Sequence, residues 1–422
     1  MMFGINRLTS HPSAWKIPSA LVVFLLAGAV VARAGEPFSL TASTTSGTPT
    51  AVSSSGSSVL NLTDNLIETK AQFATLTGQS FDASLRYGGL NNAFVYSQNA
   101  AGTSSTLSIP SIGFSKTFTG TNSYALQHNI RQFLEHDGAA IYSHFLHSVN
   151  QNTYLGVTDG NPLATTALLA DLAYDQFGLQ PTASEPIFLS DTQQERLPAG
   201  LRLDLKGGYF DTHDGSGSYG QGTLSSNWRF TDRVGLNVAA LLNYRNNEGA
   251  DVYQIGGEVG LPVLILSSHG DRTFSWQVTP AFLVGGSGSV DLAAGGLFYG
   301  GAATSSLSYR LYPFTVTLAD NYSYFQGYPV HIGAYNYDTD VTQQIVKNGL
   351  KVTYALNAGL ALDAGCSYTD FLNPAKVRGY YSPEAGIIFR LGSNGGLRIG
   401  YQGDFAPGFR GTSGVIRFFF GY

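Results

Sequence analysis

The chain has 422 residues and a formal net charge of −5, and only 12% of its residues are charged. That is about half the charged fraction of an ordinary soluble domain, and 51 glycines and a 13% aromatic content take the place of the missing charge. The acidic balance argues against nucleic acid as a partner. The single cysteine, Cys366, excludes a disulfide within the chain.

The first 34 residues have the pattern of a secretory signal peptide. Arg7 and Lys16 supply a basic start, an apolar run covers 21–31, and Ala-Arg-Ala at 32–34 has the small-residue pattern of a cleavage site. The apolar run is shorter than the roughly 18 residues that a membrane-spanning helix needs. We therefore predict residues 1–34 as a cleaved signal peptide, and we expect any membrane insertion of the remaining chain to use strands.

Two zones of different composition follow the predicted signal peptide. Residues 35–57 are rich in Ser, Thr and Gly and offer little to bury, so we predict a disordered linker there. Residues 58–198 mix apolar and polar stretches, and we predict that they form a small, partly helical N-terminal domain or a plug.

Three stretches of the second zone have helical patterns. Residues 161–178 begin with Asn and Pro and end with Gly, which are typical of a helix start and a helix end. Apolar residues at helical spacing predict a second helix within 123–149, with a break at Gly138. A third helix is predicted around 60–76.

From residue 199 onward the apolar period changes to two. In GLRLDLKGGY, for example, Leu201, Leu203 and Leu205 share one face. About thirteen such segments recur, but single-chain bacterial barrels have an even number of strands. Either residues 331–338 supply a fourteenth strand or two of the segments form one long strand, so that twelve and fourteen strands are both open. Aromatic residues stand near many segment ends, where a membrane barrel carries its two aromatic girdles.

This pattern predicts an all-β fold, a closed antiparallel transmembrane β-barrel of 12 or 14 strands over residues 199–422. A strand of roughly ten residues crosses the hydrocarbon when it is tilted, and lipid does not tolerate an open sheet edge. The alternative is a soluble secreted sandwich, which also alternates. A sandwich would carry more charge on its wet face than this chain possesses.

The predicted signal peptide, the aromatic-flanked strands and the C-terminal aromatic resemble the outer-membrane β-barrel proteins of Gram-negative bacteria. Within that class, LRLDLKGGYFDTHDGSGSYG at 201–220 is similar to the opening of autotransporter translocator barrels. The resemblance implies residence in the outer membrane, with its lipid and its assembly machinery as partners. It also implies a passive porin-like pore or a translocator for small solutes or an exported segment, or a surface interaction protein anchored by its barrel. Residues 35–198 differ from the passengers of autotransporters, which are usually long and repetitive, because this segment is short, is predicted to be partly helical and shows no repeat.

Polar residues on the second face of the strands are expected to line the lumen of such a barrel. They are Arg202, Asp204, Lys206, Arg229, Arg310, Lys351, Asp363, Arg390, Arg398 and Arg417. Basic side chains dominate this set, which leaves three interpretations open. A basic lumen favours anions in a water-filled pore, or the acidic zone 58–198 occupies the lumen as a plug, or the basic groups pair with acids and hold the wall together.

The segment DTHD at 211–214 invites a catalytic interpretation. It resembles the Asp-x-His half of the omptin surface proteases, in which a His and carboxylates activate water. The facing carboxylate pair that omptins also need is missing from the sequence, so the implied base, His213, lacks its counterpart. A Ca²⁺-binding loop and a solvated glycine-rich turn are the other interpretations.

Four histidines invite a metal-binding interpretation. His128, His136, His144 and His147 fall within the predicted helical stretch, and the last two are spaced to share a metal. No cysteine or close carboxylate group accompanies them. We therefore expect no metal site, no cofactor and no enzyme activity.

The last residues, GVIRFFFGY, have the parity of a closing barrel strand. Gly414, Phe418, Phe420 and Tyr422 share the face expected to meet lipid, while Arg417 faces the lumen. A last strand that ends in an aromatic residue resembles the signal by which the outer-membrane assembly machinery recognises its clients, and these four residues would belong to it. Phe419 is apolar yet on the inward face, and the pattern leaves it unexplained.

Overall fold

The computed structural model describes residues 36–46, 50–67, 71–136, 138–175, 199–268, 272–332, 335–337, 341–391 and 395–421. The predicted signal peptide, residues 1–34, lies outside the described residues. The described chain has three parts: an N-terminal domain over 36–152, a segment over 153–175, and a barrel over 200–421.

Six strands of the N-terminal domain form one antiparallel sheet in the order β2-β1-β3-β4-β5-β6. They are β1 (Phe38–Thr44), β2 (Ala51–Gly56), β3 (Phe81–Tyr87), β4 (Leu90–Gln98), β5 (Ser104–Ile109) and β6 (Phe114–Thr119). The predicted disordered linker over 35–57 is wrong for the described residues, because β1 and β2 lie within it. Phe38, Leu40 and Ala42 alternate with polar residues along β1 and enter the core, which outweighs the Ser/Thr-rich composition.

Three helices complete the N-terminal domain: α1 (Val59–Ile67), α2 (Ser123–His136) and α3 (Gly138–Asn152). The predicted helical stretch over 123–149 is confirmed by α2 and α3, and residue 137, next to the predicted break at Gly138, lies outside the described residues. In the stretch around 60–76, the described residues form α1 and a short 3₁₀ helix, Ala71–Leu76. None of the described helices has the length and apolar character needed to cross a membrane.

Twelve strands form the barrel. They are β7 (Gly200–Thr212), β8 (Gly215–Arg229), β9 (Gly235–Asn247), β10 (Ala250–Gly260), β12 (Arg272–Ser289), β13 (Ala294–Leu311), β14 (Phe314–Tyr328), β17 (Thr342–Asn357), β18 (Leu360–Phe371), β19 (Gly379–Leu391), β20 (Gly395–Ala406) and β21 (Phe409–Gly421). Every neighbour pair is antiparallel, and β7 pairs with β21 from Gly200↔Gly421 onward.

The barrel closes without a free edge, because β10 pairs directly with β12 from Tyr253↔Gly288 to Gly260↔Ala281. A short extra strand, β11 (Val263–Ser267), lies between them in sequence and pairs with the end of β12. The prediction of a closed antiparallel barrel is confirmed with twelve strands. The described residues of 331–338 add no barrel strand, since β15 (Val330–Ile332) and β16 (Tyr335–Tyr337) pair with each other in a separate two-stranded sheet.

The barrel wall is apolar outside and polar inside. Along β9, for example, Leu242 and Tyr244 are exposed while Asn243 and Arg245 are buried. Lipid accepts only this arrangement, an outward apolar band on a sheet without edges. The wall is therefore of the outer-membrane type that the sequence predicts.

The N-terminal domain contacts one end of the barrel. At this end, here called the domain mouth, the Tyr87 hydroxyl donates to the Leu292 carbonyl at 2.7 Å and the Tyr142 hydroxyl donates to the Ala293 carbonyl at 2.7 Å. The opposite end holds Gly200 and Gly421 and is here called the terminal mouth. All described residues belong to one compact unit.

Candidate functional site

The lumen of the barrel is occupied by the chain itself. After α3, residues 153–164 enter at the domain mouth, where the Tyr154 hydroxyl donates to the Pro407 carbonyl at 3.0 Å. Further inside, the Arg245 guanidinium donates to the carbonyl oxygens of Leu163 at 3.2 Å and Gly156 at 3.3 Å. The Gln254 amide also donates to Leu163, at 3.0 Å. Side chains of the wall thus satisfy buried backbone groups that have no secondary structure to pair them.

The helix α4 (Thr165–Tyr174) follows inside the lumen, and all of its residues except Asp171 are buried. Its apolar residues are distributed around its whole circumference, as expected of a helix enclosed by protein. Leu168 and Leu172 pack against Ala239 and Leu241 of β9. The helix begins later than the sequence predicts, because the Asn161 side chain accepts the Leu163 N–H in a turn before the first helical residue.

Three wall glycines leave room for α4. A Cβ at Gly256 would lie 2.6 Å from Leu169 Cδ2, and one at Gly285 would lie 2.9 Å from Leu169 Cδ1. A Cβ at Gly349 would overlap the Tyr174 hydroxyl. The inner surface of the wall is thus hollowed where Leu169 and Tyr174 approach it.

Polar contacts hold the C-terminal end of α4. Lys347 forms an ion pair with Asp171 at 2.6 Å, and its ammonium lies 4.7 Å from the centroid of the Tyr174 ring. The Thr304 hydroxyl donates to the Ala173 carbonyl at 3.0 Å, and Arg202 donates to the Asp175 carbonyl at 3.0 Å. A helix leaves its last carbonyls unpaired, and cationic groups are favoured there by the helix dipole.

The contacts also fix the direction of α4. Leu163 precedes it and meets Arg245, near the domain-mouth end of β9. Asp175 follows it and meets Arg202, which is close to the start of β7 at the terminal mouth. The described segment therefore runs along the lumen from the domain mouth towards the terminal mouth, where the first barrel strand begins.

A second set of ion pairs belongs to the wall alone. Arg398 contacts Asp363 at 2.6 Å and Glu384 at 3.0 Å, and Lys351 lies 3.3 Å from Asp363 and 3.5 Å from Glu384. The four groups come from neighbouring strands, β17 to β20, and all are inward. They link the strands of the wall.

The third set joins the wall to the end of α4. Asp204 accepts from Arg417 at 2.9 Å and lies 3.1 Å from Arg202. Arg417 also reaches the Asp175 carboxylate at 3.8 Å. The basic groups of these pairs thus face acids at close range, both in the wall and on the enclosed segment, whereas Arg245 contacts backbone carbonyls.

The structure places the sequence-predicted lumen residues as follows. Arg202, Asp204, Lys351, Asp363, Arg398 and Arg417 are buried inside the barrel, and Lys206 lies 4.0 Å from Asp404. Arg310 and Arg390 are half-buried, and Arg229 is exposed at the terminal mouth.

Sequence reasoning missed five charged lumen residues of the described wall: Arg245, Glu258, Lys347, Glu384 and Asp404. Arg245 and Lys347 follow the same inward parity as the predicted set, in LNYRNN and IVKNGLK, so the alternation itself could have found them. Glu384 follows a proline in SPEAG, where the alternation is weak.

The C-terminal strand supplies a reason for Phe419. Its ring packs inside the barrel with Ala361 and Ile388, and a Cβ at Gly396 would overlap it. Phe419 therefore forms an apolar contact between strands at the terminal mouth. Phe420 is 49% exposed on the outward face, and Tyr422 lies outside the described residues.

The residues considered for chemistry show no assembled site. The His213 N–H donates to the Gly408 carbonyl at 3.1 Å, as part of the β7–β8 turn. His147 contacts Gln151 at 2.6 Å, and the side chain of His136 lies outside the described residues. Within the described part of the chain, no three His, Cys, Asp or Glu residues gather as a metal site. Cys366 is exposed on the outward face of β18.

No protein-family model matches the chain, and no curated protein matches it. Solved structures of outer-membrane barrels are similar to it. The NanC porin is 14% identical, with a TM-score of 0.35, over 52% of this chain and 98% of the porin. The translocator domain of the autotransporter NalP from Neisseria meningitidis is 13% identical, with a TM-score of 0.36, over 60% and 99%. The beta domain of the Bordetella autotransporter BrkA is 9% identical, with a TM-score of 0.39, over 53% and 100%. Porins and translocator domains share the barrel class that the sequence predicts.

Proposed function

We propose that this chain is a self-translocating outer-membrane protein, which carries its N-terminal domain to the cell surface and holds it there. The observation that carries the proposal is the path of residues 153–175 through the lumen, from the domain at one mouth to the contact of Asp175 with Arg202, near the start of β7. An even-stranded barrel has both termini on one side, which in outer-membrane barrels is the periplasm. The domain mouth then faces the outside of the cell.

The fit between α4 and the wall supports a resident segment. Glycine hollows at 256, 285 and 349, the Lys347–Asp171 pair and the donors at the helix end are specific to this segment. A wall selected for free passage of solutes would gain nothing from them. We therefore propose that the protein is a translocator and surface anchor without catalytic activity, in which α4 closes the lumen after the domain has passed.

The orientation can be tested with single cysteines in a Cys366→Ala background. Tyr124 is 79% exposed on the N-terminal domain, and Phe230 is 63% exposed in a turn at the terminal mouth. We expect Tyr124→Cys to react with a membrane-impermeant maleimide on intact cells. The matched control, Phe230→Cys, reacts only after the outer membrane has been permeabilised. The reverse pattern would place the domain in the periplasm and refute the proposal.

A second candidate function is an anion-selective pore that opens when α4 leaves. It is favoured by one observation: Arg202 and Arg417 stand together at the end of α4, and both contact Asp175. Departure of the helix would take the Asp175 carbonyl away from Arg202 and the Asp175 carboxylate away from Arg417, and would leave the two guanidiniums sharing Asp204. Planar-bilayer recordings of the full chain distinguish the two functions, since a steady, large, anion-selective conductance favours the pore and a closed baseline favours the anchor.

A further inference from the structure

One carboxylate lies on the outer face of the barrel, away from both mouths. Asp320 in β14 is exposed, whereas its neighbours Ala319 and Asn321 are buried and face the lumen. The other outward charges that the described strands carry are each next to a strand end: Asp211, Asp251, Asp370 and Arg410.

The position of Asp320 within the apolar band follows from the geometry of its strand. Phe314 and Tyr324 are exposed on the same face of β14. A rise of about 3.3 Å per residue and a tilt of about 40° place these rings roughly 25 Å apart along the membrane normal, which is the height of the apolar band. Asp320 is then roughly 15 Å from Phe314 and within the band. Lipid solvates a carboxylate poorly at that depth.

The cross-strand neighbours of Asp320 on the outer face are small or polar, whereas Leu318 and Tyr322 flank it on its own strand. Its register partners are Ser305 on β13 and Asn348 on β17. Ser305 accepts a hydrogen bond from the Trp276 indole at 3.0 Å. In the described part of the chain, the Asp320 carboxylate has neither a hydrogen bond nor an ion pair. Gly301 and Ala303 lie on the same outward face of β13 as Ser305, and neither carries a side chain that would project from this part of the surface.

We propose that the outward face of β13, β14 and β17 is the contact between two copies of this chain in the membrane. The Asp320 carboxylate of one copy accepts a hydrogen bond from the Asn348 amide of the other, and a twofold axis forms the bond twice. A second copy fits better than an unrelated partner because the patch holds both the acceptor and, on the adjacent strand, the amide donor. Small residues let two membrane surfaces approach, and polar side chains then hold them together.

The proposed dimer requires only that the barrel wall lies in a bilayer. It is therefore independent of the proposed translocation of the N-terminal domain. The test uses the full chain in detergent micelles and in lipid nanodiscs, with the dimer fraction measured by sedimentation equilibrium and native mass spectrometry. We expect a dimer whose dissociation constant rises at least tenfold in Asp320→Ala and in Asn348→Ala. The double variant is expected to be no weaker than either single one, because both remove the same bond.

Leu242→Ala supplies the matched control, since Leu242 is 64% exposed on the outward face of β9 and its variant should dimerise like the native chain. A heat-modifiable band on electrophoresis shows that each variant has a folded barrel. If Asp320→Ala fails this check, Asn348→Ala alone decides. A monomeric native chain in nanodiscs overturns the proposal, as does dimerisation that both variants leave intact. Recovery of a different protein or a lipid in place of the second copy also overturns it.

Discussion

The pair between Lys347 and Asp171 is the strongest single polar contact between the wall and α4. The two atoms are 2.6 Å apart, and the side chains are 5% and 20% exposed. Lys347→Met removes the cation and leaves the aspartate enclosed, and breaking such a buried pair costs about 3–5 kcal/mol. The partial exposure of Asp171 favours the low end. At about 1.4 kcal/mol per factor of ten, a loss of about 3 kcal/mol raises the population of undocked helix roughly 100-fold.

Hydrogen exchange of the backbone amides of α4 measures this population in the full chain in nanodiscs. We expect the amides of residues 165–174 to exchange roughly 100-fold faster in Lys347→Met, because exchange follows the population of the locally open state. The double variant Lys347→Met/Asp171→Asn is expected to recover part of the protection, since no unpaired charge remains enclosed.

Lys351→Met is the matched control for this experiment. Lys351 is equally buried and ion-paired, but its partners Asp363 and Glu384 belong to the wall. It should destabilise the barrel without selectively accelerating α4. The reasoning would be refuted if Lys347→Met left the exchange of α4 unchanged, or if Lys351→Met accelerated it as much.

Three further predictions concern the packing of α4 in the lumen, the burial of Asp159 at the domain mouth, and the assembly of the barrel. Gly349→Val is expected to displace Tyr174 and to raise the conductance of the barrel in a planar bilayer. Gly414→Val is the control, since no atom lies within 4 Å of the added Cβ, and its barrel should stay closed. Equal conductance of the two variants would contradict the close packing of α4 against Gly349. Burial raises the pKa of Asp159 at the domain mouth, so the native state binds this proton more tightly than the unfolded chain. The structure around Asp159 at the domain mouth therefore gains stability as the pH falls through the raised pKa of this carboxyl, and loses it as the pH rises. Melting curves should show this for the native chain and a flatter dependence for Asp159→Asn, and a dependence that survives the substitution would count against it. Deleting residues 420–422 should abolish the heat-modifiable barrel in the outer membrane, and its normal appearance would exclude a terminal assembly signal.

The barrel was predictable from the sequence because lumen and lipid impose opposite polarities on successive residues. The period of two in segments such as GLRLDLK is a direct consequence of that environment. The exact number of strands was not predictable, since 331–338 alternates as a strand does but its described residues pair in a two-stranded sheet apart from the barrel. Only tertiary pairing distinguishes such a sheet from two wall strands.

The N-terminal sheet escaped prediction for a different reason. β2 reads AVSSSG and has no buried residue, and β5 reads SSTLSI. Strands with so little apolar alternation cannot be told from linker by composition, and their position depends on the pairing of β1 with both β2 and β3. Burial of Phe38 against Tyr87, with ring centroids 4.8 Å apart, is a contact between residues that the sequence leaves unrelated.

The occupied lumen was one of three open interpretations, and sequence alone had no means to choose among them. TTALLADLAY is apolar on every side, so its pattern indicates burial without naming the partner surface. The choice depends on glycines at 256, 285 and 349, each on a different strand. A glycine in a strand has many explanations, and only the assembled wall shows that these three face one helix.

The dimensions of the two parts bear on the order of events during translocation. Twelve strands spaced about 4.8 Å apart and tilted by about 40° enclose a ring roughly 24 Å across between backbones, before side chains narrow it. The six-stranded sheet of the N-terminal domain is itself roughly 24 Å wide, from five spacings of about 4.8 Å, and helices pack against it. The folded domain therefore does not fit through the lumen. On the proposed function, the domain passes unfolded and folds outside, and α4 docks in the wall only afterwards. Folding at the domain mouth then makes the passage irreversible, and the contacts of Tyr87 and Tyr142 with residues 292 and 293 hold the folded domain where it emerged.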